Sequence, residues 1–260
     1  MPLHLFDPLA DLLARVRTGR RLLVFTDFDG TLVPIADDPW LVEMAPAVRS
    51  ALTAVAAHPN ARVAVVSGRD LANLRDRVRL DNVAYAGNHG LEIDAPGHTF
   101  REPTATALAS ELAGIIGQLT RELAGVPGLW VQDKQLSATA HIKTVPADQV
   151  TRVREVMERV VAPFAGQFAV RLGHVTIDIR PVVDWHKGSA VNWLAARLAP
   201  DDPSPLTLYL GDDQTDEDAF TAARHGVTVL VGPPRATAAR YRLDSVDEVN
   251  EFLRRIAAAL

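Results

Sequence analysis

Two carboxylates stand two residues apart in Asp27-Phe28-Asp29-Gly30-Thr31, directly after the apolar run Leu22-Leu23-Val24-Phe25. Such a run reads as a buried strand, and the C-terminal end of a buried parallel strand is where an α/β sheet opens into its ligand crevice. Two more strand-like runs end in polar groups: Arg62-Val63-Ala64-Val65-Val66 leads into Ser67-Gly68, and Leu206-Thr207-Leu208-Tyr209-Leu210 leads into Gly211-Asp212-Asp213, with Asp216 close behind. Lys187 follows Trp185-His186 at a fourth such position. In a doubly wound sheet these ends share one crevice, so the residues can converge despite their separation in sequence. Carboxylates gathered in this way need a cation, and oxygen donors without any cysteine point to Mg²⁺.

Phosphoryl transfer is the chemistry that uses these residue types together. Asp27 is the expected nucleophile, attacking phosphorus in line to give an aspartyl-phosphate, and Asp29 the acid/base that protonates the leaving oxygen and later activates water. The metal is expected on Asp27, the Asp29 backbone carbonyl and Asp212, with Asp213 or Asp216 as a further ligand or orienting group. Thr31 and Ser67 can donate hydroxyl hydrogen bonds to phosphoryl oxygens, Gly30 and Gly68 let backbone N–H groups approach them, and Lys187 offsets the charge that builds up.

These residues need a scaffold of alternating strands and helices to position them. An amphipathic segment near 9–16 precedes the strand at 22–26. Helices are expected at 45–57 and 70–78 and strands at 62–66 and 83–86, the last leading into Gly87-Asn88-His89-Gly90. After residue 181 the pattern resumes with a helix at 189–198 and strands at 206–210 and 226–231. Thr215 and Asp218 read as a capping box, and 246–260 as a terminal helix. The fold class is therefore α/β, with a Rossmann-like parallel-sheet core built from 1–96 and 181–260.

Between them, 97–180 has a different rhythm, with Ala95-Pro96-Gly97 as the expected linker. A helix at 104–123, a hairpin from 130–134 and 137–143, a helix at 150–164 with Val150, Val153, Met157, Val160 and Phe164 on one face, and strands at 167–171 and 175–180 make an inserted α+β cap. Alternation puts Ala138, Ala140, Ile142, Val175, Ile177 and Ile179 under the helices. Ser137, Thr139, His141, Lys143, Thr176, Asp178 and Arg180 are left on an open polar face suited to sugar hydroxyls.

Composition narrows the setting. The 260 residues carry 27 Lys plus Arg against 32 Asp plus Glu, a net charge of -5, so no nucleic-acid or acidic-membrane partner is expected. The absence of cysteine excludes disulfides and thiolate chemistry. No apolar run is long enough to span a bilayer and no leader pattern opens the chain, which makes a soluble cytoplasmic protein the expectation. Lys134, Lys143 and Lys187 are the only lysines in a chain whose other basic residues are arginines, and a compact ammonium suits a changing phosphate charge.

Asp27-Phe28-Asp29-Gly30-Thr31, Ser67, Lys187 and Gly211-Asp212-Asp213-x-x-Asp216 resemble, in order, the motifs of haloacid-dehalogenase-superfamily phosphatases. Val66-Ser67-Gly68-Arg69, Gly87-Asn88-His89-Gly90-Leu91-Glu92, Asp133-Lys134, Ile179-Arg180-Pro181 and Asp212 to Phe220 are more closely similar to the trehalose-6-phosphate phosphatase branch. The resemblance implies Mg²⁺-dependent hydrolysis of a small sugar phosphate, trehalose 6-phosphate, under a mobile cap. It also implies substrate contacts from Asn88, His89, Gln132, Lys134, His141, Asp178 and Arg180. Functional coupling to a sugar-phosphate synthase is a possible added role, and a monomer is slightly favoured. Where the family pattern usually has Glu, this chain has Gln132 and Asp178, so a related glycosyl or pseudo-disaccharide phosphate is an alternative substrate, and a sugar phosphomutase a further alternative activity.

Overall fold

A computed structural model describes residues 1–36, 40–173 and 175–260. In chain order the elements are β1 (Leu3–His4), α1 (Leu9–Val16), β2 (Leu22–Thr26), α2 (Pro46–Ala56), β3 (Ala61–Val66), α3 (Leu71–Val78), β4 (Ala84–Gly87), β5 (Glu92–Ala95) and β6 (His98–Arg101). There follow α4 (Pro103–Ala107), α5 (Ala109–Glu122), β7 (Trp130–Asp133), β8 (Ala138–His141), α6 (Ala147–Val161), β9 (Phe168–Leu172) and β10 (Thr176–Pro181). The chain closes with α7 (Lys187–Leu198), β11 (Leu206–Gly211), α8 (Glu217–Ala222), β12 (Val227–Val231), β13 (Tyr241–Leu243) and α9 (Val246–Ala259). Two compact units result, Met1–Phe100 with Trp185–Leu260, and Arg101–Asp184.

The first unit is α/β, with one sheet in the order β1-β13-β12-β11-β2-β3-β4-β5-β6. Strand pairs from β1 through β4 are parallel, and β5 joins β4 antiparallel. From β2 the chain winds one way through β3 and β4, and from β11 the other way through β12 and β13, so the switch point lies between β2 and β11. Leu22, Val24, Val63, Val65, Leu208 and Val229 pack with α1, α2, α3 and α9 on one face. Leu23, Phe25, Ala64, Val66, Tyr209 and Leu230 pack with α7 and α8 on the other. Burial on both faces explains why these strands read as unbroken apolar runs.

Several details differ from the sequence reading. Pro96-Gly97 is not a linker: Gly97, at φ +77°, turns β5 into β6, and Ile93 and Ala95 enter the second core layer. The compact units divide in sequence at 100/101 and 184/185, four residues beyond each expected boundary. A turn and a linker share the same Pro-Gly composition, and only the pairing of flanking strands separates them. β1 and β13 are too short to show a period. The 104–123 segment is two helices, broken at Leu108 with φ -86° and ψ 0°, dihedrals near enough to helical that the apolar spacing runs on through the break.

The second unit is α+β. Its sheet, in the order β7-β8-β10-β9, is antiparallel throughout. Ala138, Ala140, Ile177 and Ile179 pack against Leu112, Ile115 and Leu119 of α5 and Val153 and Met157 of α6. The opposite face is less open than expected, because Ser137 and Thr139 are buried.

Two helix starts were misplaced by sequence. The box expected from Thr215 and Asp218 is formed by Asp213 and Asp216 around a 3₁₀ turn, Gln214–Asp216, that precedes α8. The helix expected from Ser189 begins at Lys187, because His186 serves as N-cap: its Nδ1 accepts from the N–H groups of Gly188 at 3.1 Å and Ser189 at 3.4 Å. Histidine is not among the usual N-cap residues, so this signal is weak in sequence. Replacing His186 with Ala leaves those donors without the imidazole and should cost on the order of 1 kcal/mol, seen as a drop of about 2–4 °C in melting temperature. His186→Asn should recover most of it, and equal melting of the Ala variant and parent would show that the cap contributes nothing.

Candidate active site

The register of β2, β3 and β11 brings the expected strand ends together. Thr26 is level with Leu210 and Val65, and the Asp27 N–H donates to the Leu210 carbonyl at 2.8 Å. At the next strand end the Ser67 N–H donates to Ala86 at 2.8 Å. Lys187, the first residue of α7, places its Nζ 3.1 Å from Asp27 Oδ1 and 2.7 Å from Asp216 Oδ1. The side chains of Lys187, Asp27 and Asp216 are 2%, 7% and 0% exposed, so this is a buried ion-pair cluster rather than a surface bridge.

Asp216 is held by three donors. Besides Lys187, the Tyr209 hydroxyl donates to Oδ1 at 2.7 Å, and the Asp213 N–H donates to Oδ2 at 3.0 Å. Asp27, Asp212 and Asp216 each offer a carboxylate oxygen within 4.8 Å of the others, a grouping able to hold a hard cation. Asp213, an expected metal residue, lies outside that cluster: it is exposed, and its side chain caps the following turn. Asp213 thus stands on the exposed side of the turn, while Asp216 takes the buried position.

Charge crowding is legible in the titration behaviour. Burial pushes the Asp27 carboxyl well above its usual range, with Asp216, Asp212 and Asp29 adding to the rise and Lys187 opposing it. Asp212 is pushed up to about 6 by burial and then by Asp216, again against Lys187. Burial alone would lower the Lys187 pKa, but Asp216 and Asp27 outweigh it and hold the ammonium above its ordinary value. Burial and the neighbouring charges of Asp216 and Asp27 likewise keep Tyr209 a neutral donor.

Asp29 is engaged by Arg69. Nε donates to Oδ2 and Nη2 to Oδ1, both at 2.7 Å, a bidentate pair, while Nη1 donates to Asn73 Oδ1 at 2.8 Å. Thr31 is buried, with its Oγ1 3.4 Å from Asp212 Oδ1. Gly30 has φ +78°, and a Cβ there would lie 2.1 Å from Asp212 Oδ2, so glycine is required both by conformation and by space. Gly68 is confined by the His89 ring, whose Cε1 would stand 2.6 Å from an added Cβ. Asn88 and His89 both adopt positive φ, and the buried Asn88 donates to Glu92 Oε1 at 2.7 Å. Trp185 stacks on Phe100 and donates to the Gly90 carbonyl at 2.7 Å, a structural role.

The remaining expected residues lie in the second unit. His141 Nε2 is 3.1 Å from Gln132 Oε1, and its ring stacks on Trp130 with centroids 4.6 Å apart. Asp178 accepts from the Thr139 hydroxyl at 2.7 Å and from Arg180 Nη2 at 2.6 Å. Lys134 sits at the β7–β8 turn, where its N–H donates to the Ser137 carbonyl at 3.0 Å. Sequence reasoning missed Tyr209 and the partnership of Arg69 with Asp29. The signal for Tyr209 was a phenol in an otherwise apolar buried strand, whose hydroxyl needs a partner.

Comparisons with known proteins agree with this geometry. A family model described as trehalose-phosphatase matches residues 25–247. A trehalose-phosphate phosphatase of Mycobacterium avium is 41% identical over 252 residues, covering 93% of this chain and 63% of that protein. An uncharacterized glycosyl hydrolase of Mycobacterium tuberculosis is 38% identical over 257 residues, covering 95% of this chain but 19% of that protein. The chain thus spans less than two thirds of the length of these relatives. Among solved structures, the C. albicans trehalose-6-phosphate phosphatase C-terminal domain superposes with a TM-score of 0.81 at 24% identity, covering 99% of this chain and 98% of that one. A haloacid dehalogenase-like hydrolase from Bacteroides thetaiotaomicron, with a TM-score of 0.65 at 17% identity over 91% of this chain and 100% of that one, shares the fold. Matched by the family model from the strand that carries Asp27 to the terminal helix, the chain belongs to the trehalose-phosphatase family.

Proposed function

We propose that this chain hydrolyses trehalose 6-phosphate to trehalose and phosphate in a Mg²⁺-dependent reaction through an aspartyl-phosphate on Asp27. The observation that carries this reading is the Lys187–Asp27 contact of 3.1 Å at the sheet's switch point, within a chain of the trehalose-phosphatase family. The donor set fits Mg²⁺. Three clustered carboxylates against the single Lys187 ammonium leave two surplus negative charges, and every available ligand atom is oxygen. Asp27 and Asp212 would hold the ion directly, with the Asp29 backbone carbonyl. Asp216, whose oxygens already serve Lys187, Tyr209 and the Asp213 N–H, acts as the orienting group. When bound, Mg²⁺ supplies offsetting charge for the phosphoryl oxygens.

Asp27 attacks phosphorus as the bond to the sugar oxygen breaks, and Asp29 delivers a proton to that oxygen. A water then attacks the aspartyl-phosphate, Asp29 takes its proton, and phosphate leaves with Asp27 restored. Proton delivery requires the Arg69–Asp29 pair to open, since both Asp29 oxygens accept from the guanidinium. Lys187 and the Thr31 and Ser67 hydroxyls stabilise charge on the transferring group.

Asp27→Asn should abolish phosphate release from a folded protein, and turnover near the parental rate would exclude the covalent route. Asp29→Asn should slow hydrolysis by about 10² to 10⁴-fold for a poor leaving group and much less for an activated aryl phosphate. Equal damage to both would remove Asp29 as the acid.

Metal binding should be proton-coupled. Asp212 has a folded pKa of about 6, above its ordinary 3.8, and Asp27 is raised too. A raised carboxyl contributes stability that is present below its unfolded pKa and lost as pH rises through the folded value, here between about 4 and 6 for Asp212. A cation must displace those protons, so Mg²⁺ should raise the melting temperature more at pH 7.5 than at pH 5. Asp212→Ala should erase most of that gain and raise the Mg²⁺ concentration needed for turnover. A gain independent of pH and of Asp212 would place the metal elsewhere.

The second unit is proposed to select the sugar. Lys134→Ala should reduce kcat/KM for trehalose 6-phosphate far more than for a small aryl phosphate, with loss in kcat as well as KM. Equal losses would favour a general structural role. A related glycosyl phosphate is the second reading, favoured by the capture of Asp178 by Arg180 and Thr139. Phosphate release across a panel of sugar phosphates separates the two, as a phosphomutase would leave phosphate on the sugar.

A further inference from the structure

The loop between β12 and β13 carries an arginine that reaches the segment following β11. Arg235 Nη2 donates to the backbone carbonyls of Asp212 at 3.3 Å and Asp213 at 3.0 Å, and Nη1 donates to Glu217 Oε1 at 2.5 Å. Glu217 closes the clasp from its other oxygen, which accepts from the Thr237 hydroxyl at 3.1 Å and the Ala238 N–H at 2.7 Å. The guanidinium is thus pinned by a carboxylate on one side while it grips two consecutive carbonyls on the other. Those carbonyls belong to Asp212, a carboxylate of the cation cluster, and to its neighbour, and fixing their peptide planes limits where the Asp212 Cβ can point.

We propose that Arg235 is a positioning residue for the cation site, holding the Asp212-Asp213 backbone so that the Asp212 carboxylate faces Asp27. The inference rests on the reading that Asp27 and Asp212 hold a divalent ion. Arg235 itself is no ligand, because its five donors carry positive charge. Its effect comes through geometry: Nη2 reaches both carbonyls while Nη1, held in the same plane, pairs Glu217, a fixed spacing that a single ammonium nitrogen does not offer. Without the grip, the segment gains freedom that must be lost again whenever the ion binds, so affinity falls. Outer partners of metal ligands typically contribute about 10–100-fold to affinity. Arg235 is 30% exposed and borders a cavity of about 710 Å³ with Pro2, Ala236, Thr237, Ala239 and Arg240, so truncating it removes little packing.

Mn²⁺ is the probe, titrated into metal-free protein and followed by electron paramagnetic resonance of the free ion, so that binding is read without turnover. Arg235→Met should weaken Mn²⁺ binding by about 10-fold or more while shifting the metal-free melting temperature by less than about 2 °C. Arg235→Lys should fall between Met and parent. Glu217→Gln should weaken binding in the same direction and be non-additive with Arg235→Met, since the two act as one clasp. Unchanged affinity in Arg235→Met would overturn the inference, as would a loss of affinity that tracks a large fall in metal-free melting temperature. Should Arg235→Met not fold, the Lys and Gln variants carry the same decision. Asp212→Asn in the same titration separates the two levels: if parent and Asp212→Asn bind Mn²⁺ alike, the cation reading itself fails. If Asp212→Asn loses binding and the Arg235 variants do not, only the role of Arg235 fails.

Discussion

The ammonium of Lys187, buried between Asp27 and Asp216, is the contact on which the carboxylate cluster at the sheet's switch point depends. Removing a carboxylate from water costs several kcal/mol even after relaxation (about that order for each ion), and three lie here together. One lysine offsets part of that cost, provided that it reaches two carboxylates at once, and the distances of 3.1 and 2.7 Å show that it does. A compact ammonium on a flexible stem suits this position, where one nitrogen meets two carboxylates. The two uncompensated charges that remain are the basis for proposing a cation there. Burial first, and the neighbouring carboxylates after it, push the Asp27 and Asp212 carboxyls above their ordinary range.

Such a cluster needs rigid support, since a shift of one carboxylate would leave a buried charge unpaired. The sheet supplies it by burying β2, β3, β11 and β12 on both faces, which fixes the register of the strand ends from which Asp27, Ser67 and Asp212 project. Backbone space is as tightly set as side-chain space. A Cβ at Gly30 would collide with the Asp212 carboxylate, and one at Gly211 would lie 2.4 Å from Cγ of Asp216. The glycines therefore allow carboxylates to lean on bare backbone, which brings negative groups closer than any substituted residue would permit.

This logic also determines what could be read from sequence. Strands buried on both faces announce themselves as apolar runs, and the polar residue that ends each run is visible without knowledge of its partner. Short edge strands such as β1 and β13 carry no period, and β5–β6 is marked only by a Pro-Gly turn that serves equally well as a linker. Within the site, local hydrogen bonding sets Asp213 apart from Asp216: Asp213 caps the turn, and its neighbour three residues on is carried inward to Tyr209 and Lys187. The pairing of Arg69 with Asp29 and the grip of Arg235 on the Asp212 carbonyl each join different loops. Such contacts depend on sheet order and register and have no local signature.

The two units differ in how strictly their residues are constrained. In the first, Asp27 and Asp216 share the single Lys187 ammonium, so loss of that lysine would strand two buried carboxylates at once and the three residue types are coupled. On the polar face of the second unit's sheet, Gln132 meets His141, and Asp178 meets Thr139 and Arg180, in part-buried hydrogen bonds that an amide or a shorter acid can still make. Gln132 in place of Glu takes a charge away from His141 and retains an acceptor, and Asp178 in place of Glu stays within reach of Arg180 two residues along the same strand. Both changes are therefore tolerated by the unit's own network, at the expense of reach and charge that a longer acid would have offered to a ligand hydroxyl. The charge cluster of the first unit is for that reason held more tightly than the polar face of the second, and on the proposed reading the choice of sugar turns on whether a ligand can draw Asp178 away from Arg180.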